Sequence, residues 1–144
     1  MTIFSVEEQD LIVQAISVAE SKTSGEIRLV IDRKLAFPSA FEAAVDYFNK
    51  LNMGKTQLQN GVLIYLAVDD HQFAIIGDKG INERVAPDFW NATKEKMITH
   101  FRENAIAKGL VEGIHHAGEQ LQTFYPRRLD DINELPDDIY YGNN

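Results

Sequence analysis

The feature that most constrains this chain is Val62-Leu63-Ile64-Tyr65-Leu66-Ala67-Val68, a near-continuous apolar run followed by Asp69-Asp70-His71-Gln72 and a second run, Phe73-Ala74-Ile75-Ile76. Each run is of strand length. Continuous apolar runs rich in β-branched residues and bounded by turn formers suit strands covered on both faces, although the pattern is also compatible with a buried helix segment. The four-residue polar break makes an antiparallel hairpin the economical connection. That hairpin brings Asn60 and Gly61, which enter the first run, to the same end as Gly77 and Asp78, which leave the second.

The preceding segments supply the packaging. Ser5-Val6-Glu7-Glu8 fits a capping box, and Leu11, Ile12, Ala15, Ile16 and Ala19 recur at helical spacing until Thr23-Ser24-Gly25 stops the helix. Glu26-Ile27-Arg28-Leu29-Val30-Ile31-Asp32 reads as the first strand. Pro38 and Ser39 then open a second helix ending near Gly54, with Phe41, Ala44, Val45, Phe48 and Leu51 as its predicted buried stripe. Strand, helix and strand in succession imply a right-handed crossover between parallel strands. Glu26 is therefore expected at the sheet end of Asn60 and Asp78, and Asp32 at the other.

Beyond Asp78, Lys79 to Val85 reads as a loop, and Pro87-Asp88 as the start of a long helix whose apolar side holds Trp90, Met97, Ile98 and Phe101. A corner near Asn104 precedes a last helix marked by Ala107, Leu110, Val111, Ile114, Ala117, Leu121 and Phe124, which Pro126 closes. Gly109 and Gly113 predict close approach of another backbone. The expectation is one domain over residues 1–126 and an acidic extension, 127–144, with Leu129, Ile132, Leu135, Tyr140 and Tyr141 among its polar residues. The extension packs on the body, adds an edge strand or stays partly mobile as a contact segment. The pattern leaves these open.

At 144 residues the chain is long enough to bury about two-thirds of its unfolded surface. Its net charge of -8 argues against a nucleic-acid partner and is compatible with divalent cations. Without cysteine there is no disulfide, thiolate zinc site or cysteine nucleophile. The N-terminus lacks a basic region followed by an apolar core, and no apolar run approaches the roughly 20 residues that span a bilayer. The reading is a cytoplasmic monomer with no membrane anchor.

Several apparent motifs carry no chemistry. Gly54-Lys55-Thr56 resembles the end of a phosphate loop, but Asn49 stands where the first glycine belongs and the segment follows a helix. Gly77-Asp78-Lys79-Gly80 is not a dinucleotide fingerprint, because Glu83 occupies the third glycine position. The four histidines have no metal-ligand spacing. What remains is a set of oxygen donors expected near one sheet end: Glu26, Asn60, Asp78, Asn82, Glu83 and Asp88. Carboxylates, amides and carbonyls suit calcium, or magnesium with fewer ligands, better than zinc. Solvated loop acids are the plainer explanation, and Asp88 also suits a helix N-terminus.

Thr23-Ser24-Gly25-Glu26-Ile27, Asn60-Gly61-Val62-Leu63-Ile64, Gly77-Asp78-Lys79-Gly80-Ile81 and Pro87-Asp88, followed by Gly109 and Gly113, resemble the TPM domain family over roughly residues 5–125. That family includes phosphatase-like repair proteins of photosystem II in the thylakoid lumen and many bacterial members. The resemblance implies a three-layer α/β/α sandwich around a small mixed β-sheet, with crossing loops that bind divalent metal. Members commonly have an acid where this chain has Asn82, with Glu83 next, so the ligand set slides by one. Many also carry a signal peptide and a membrane anchor; this chain reads as a stand-alone domain. The function expected is a calcium-binding regulatory or interaction module with a possible protein partner. The alternative, by analogy with plant relatives, is a metal-dependent acid phosphatase with Asp78 or Asp88 as nucleophile or base.

Overall fold

A computed structural model describes residues 3–56, 58–127 and 139–142. Its centre is β1 (Glu26–Asp32) and β2 (Gly61–Ala67), paired in parallel with Glu26 opposite Gly61 and Asp32 opposite Ala67. The hairpin is as expected: β3 (Gln72–Gly77) lies antiparallel to β2, with Val62 opposite Gly77. A short β4 (Ile139–Tyr141) runs parallel to β1 on its other side, so the order is β3-β2-β1-β4. The end of the C-terminal extension thus adds an edge strand. Leu129, Ile132 and Leu135 lie outside the described residues.

Every residue of β1 and β2 is buried, because helices cover both faces of the sheet. On one face lie α1 (Val6–Glu20), α4 (Asn91–Arg102) and α5 (Ile106–Phe124), whose Ile12, Ile16, Met97, Leu110, Ile114 and Leu121 pack on Ile27, Leu29, Ile31, Val62, Ile64 and Leu66. On the other lies α2 (Ala40–Lys50), over Val30, Leu63, Tyr65 and Ala67. The architecture is the expected α/β/α arrangement about a mixed sheet. No described helix is long and apolar enough to cross a membrane.

Local chemistry explains the starts. Ser5 and Glu8 form the reciprocal capping box of α1, and the Ser39 side chain accepts from the Glu42 amide at α2. Four expectations need correction. The loop after Asp78 contains a one-turn helix, α3 (Lys79–Asn82), too short to leave a periodic signature. The next helix starts at Asn91 rather than at Pro87-Asp88, after turns through Phe89 and Trp90. The side of α2 that meets the sheet is Ala40, Ala43, Ala44 and Tyr47, small residues that let the helix close on the strands, while Phe41 is 62% exposed and Val45 37%. Gly109 and Gly113 do admit a close neighbour, but chiefly the Phe101 and Met97 side chains of α4.

Candidate functional site

The pairing registers gather Glu26, Asn60 and Asp78 at one sheet end, as the crossover and hairpin require. There the chain segments before β2 and after β3 cross and bind each other through main-chain groups. The Asp78 amide donates to the Gly61 carbonyl at 2.8 Å, the Gly80 amide to the Gln59 carbonyl at 2.9 Å and the Glu26 amide to the Asn60 carbonyl at 3.4 Å. Gly80 is needed at the crossing: a Cβ there would stand 2.5 Å from the Leu58 oxygen and 2.6 Å from the Gln59 oxygen. Gln59 itself adopts a left-handed conformation, φ 51°, which costs free energy for a residue with a side chain.

The end of α5 ties down the same crossing. The Tyr125 hydroxyl donates to the Gly80 carbonyl at 2.8 Å. The Arg84 guanidinium donates to the Phe124 carbonyl at 3.1 Å and lies 4.7 Å from the Tyr125 ring centre. Burial raises the Tyr125 pKa above its usual value; Arg84 opposes the shift, while Glu83 and Asp78 add to it. Thr23 donates to the Tyr125 carbonyl and accepts from the Gly25 amide at 3.0 Å, fixing the turn into β1. None of Thr23, Arg84 or Tyr125 was a sequence candidate. Thr23 reads in the sequence only as part of a helix stop and a family block, and the bonds of Arg84 and Tyr125 join residues 40 and 45 positions apart, which local pattern does not show.

The proposed donors differ in what their side chains do. Asp78 caps α3, one carboxylate oxygen accepting from the Lys79 amide at 2.7 Å, while the other, Oδ2, is buried with no hydrogen-bond donor. Asn82 is exposed and its amide donates to the Gly77 carbonyl at 3.1 Å; Glu83 is exposed next to it. Glu26 and Asn60 are buried. Asp88 is exposed beyond α3, with its carbonyl accepting from the Asn91 amide.

Glu26 and Asp78 share an end but not a centre. Glu26 pairs with Gly61 on one side and the Asp78 amide bonds to the Gly61 carbonyl on the other, so two strand spacings, about 10 Å, separate their backbones. The buried Met53 covers Gly61, its methyl 3.4 Å from where a Gly61 Cβ would sit. Among the described residues, no three of Asp, Glu and His stand close enough together to hold a metal ion.

This arrangement of blocks is a known one: residues 1–120 match the profile of the TPM domain. The chain belongs to the TPM domain family. The solved BA42 protein from the psychrophilic bacterium Bizionia argentinensis is 45% identical, with a TM-score of 0.92 over 98% of this chain and 97% of that one. Two further TPM-like folds are more distant. The N-terminal domain of a Porphyromonas protein, from P. gingivalis, aligns with TM-score 0.72 at 17% identity over 88% of this chain and 82% of that one. The N-terminal domain of cg2496 from Corynebacterium glutamicum aligns with TM-score 0.66 at 13% identity over 82% and 74%. No curated protein matches the sequence. In this TPM domain, the sequence blocks around Gly25, Asn60 and Asp78 are the segments that meet at the loop crossing.

Proposed function

We propose that this TPM domain acts by binding, as a regulatory or interaction module whose loop crossing takes up a divalent cation, calcium by donor chemistry. The observation that carries this reading is the Asp78 carboxylate, which has one oxygen buried without a hydrogen-bond donor beside the crossing of the two segments. A buried carboxylate oxygen lacking a donor favours a cation beside it. Asp78 is the anchor in this reading, and the exposed Asn82 and Glu83 are the donors that a small rearrangement of α3 would add. Asp88 is the more remote candidate. Glu26 and Asn60 shape the end of the sheet from its interior. Since the crossing is already closed by main-chain bonds, the cation's role is to tighten and re-aim the segment from Asp78 to Val85.

Amide NMR during titration with calcium, magnesium and zinc tests this. Calcium should shift residues 58–61 and 77–83. Thermal stability should rise, by about 2.7 kcal/mol at a hundredfold excess over Kd for one site that the unfolded chain lacks. Asp78→Ala should remove both responses, and Asp69→Ala, at the opposite end, should leave them intact. Shifts centred on Asp69 and Asp70, or none at millimolar calcium, would defeat the proposal. Metal-dependent phosphomonoester turnover lost in Asp88→Asn would replace it with the hydrolase reading.

A further inference from the structure

The exposed side of α2 points to a second surface. Phe41, Val45 and Phe48 line a groove of about 390 Å³, a volume in the range of roughly 300–1,000 Å³ typical of ligand sites. Ile75, Ile76 and Gly77 of β3 lie along the groove, and Pro87, Trp90, Asn91 and Lys94 line it as well. Ile76 packs with the α2 cluster and Ile75 with the cluster that contains Trp90. The groove therefore straddles the edge of the sheet, with an apolar wall on each face.

Among the described residues no strand pairs with the outer side of β3. The Asp78 amide bonds to Gly61, and Val62 stands opposite Gly77, so antiparallel alternation turns the N–H and C=O groups of Phe73, Ile75 and Gly77 outward. Asn82 occupies the Gly77 carbonyl and ends any further pairing there. The other outward groups match an extended backbone. Among the described residues that line the groove, Lys94 is the only one that carries a charge, and none is a carboxylate, in a chain of net charge -8.

We propose that this groove binds an extended apolar peptide that adds a fifth strand to β3. Successive side chains of the peptide enter the α2 wall and the Trp90 wall in turn, and a peptide carboxylate meets Lys94. The proposal rests on the binding reading of the domain but requires no cation.

The test is a display selection of random octapeptides with free C-termini on the purified chain, with chelator present, so that its outcome is separate from the calcium titration. Enriched sequences should hold a continuous apolar stretch and a carboxylate. The synthetic winner should protect the Ile75 and Gly77 amides from hydrogen exchange. N-methylation at alternate peptide positions should weaken it roughly tenfold, whereas the intervening positions should tolerate the methyl group. Phe41→Asp, at an exposed site, should weaken binding by a similar factor. Lys94→Glu should weaken a peptide acid more than its amide. No enrichment, or binding indifferent to the N-methyl pattern, would overturn the proposal. So would a concentration-dependent dimer that protects the same amides without peptide, because a second copy of the chain would then own the edge.

Discussion

The Asp32 carboxylate is almost fully buried and accepts hydrogen bonds from the Tyr65 hydroxyl at 2.7 Å and the Tyr47 hydroxyl at 2.9 and 3.0 Å. Gly142 presses against Asp32 and Tyr47, leaving no room for a side chain. Burial and the bond to Asp32 both raise the Tyr65 pKa, burial more, so this phenol stays a donor. A buried hydroxyl that loses its acceptor carries the full cost of its desolvation. Asp32→Ala should therefore lower stability by roughly 2–5 kcal/mol in denaturant melts, with Asp32→Asn losing less because an acceptor oxygen remains. Asp32 is an unsuitable silent control for cation binding, which is why Asp69 takes that place: its contact with Arg33, at 3.5 Å, is a surface ion pair.

The crossing before β2 and after β3 is a closed element whose weak point is Gly80. An added methyl group would meet two carbonyl oxygens of the neighbouring segment, which have no flexible end to swing away. Gly80→Ala should cost about 1–3 kcal/mol and speed hydrogen exchange at the Asp78 amide. Gly113→Ala meets the unbranched, adaptable Met97 side chain instead and should cost less. Elements with a periodic or capped signature were legible in the sequence: the Ser5 and Ser39 caps, the strand runs, the crossover and the hairpin all have local causes. The one-turn α3 has no period to read. The rotation of α2 is not legible from hydropathy, because Phe41 and Val45 are more apolar than Ala43 and Ala44, while close packing against strands selects the small pair. The expected site shares the same limit: register places Glu26, Asn60 and Asp78 at one end, but only side-chain packing reveals Met53 over Gly61 there.

Across the whole molecule, acid stability depends in part on the seam between α4 and α5. The buried Thr93 hydroxyl and His116 Nδ1 are 2.6 Å apart, and His100 Nε2 stands 3.4 Å from the Glu112 carboxylate. Burial, helped by Lys96 and opposed by Glu119, lowers the His116 pKa below its usual 6.5. The unfolded chain then takes up the proton more readily, so His116 contributes stability that is complete above about pH 6.5 and lost as pH falls through its lower folded value. Tm should drop between about pH 7.5 and about pH 5, and His116→Gln should show a smaller drop over the same range.

β4 supplies a last consequence, one of timing. It pairs with β1, near the start of the fold, yet it is translated after every other described element. While the chain is still emerging from the ribosome, β1 and β2 can join and α5 can dock, but the far side of β1 stays open beside the Asp32 carboxylate. Domains that form as synthesis proceeds are exposed to mispairing at such edges. Three residues of strand and a glycine complete this one, so the sheet closes only after β4 has left the ribosome.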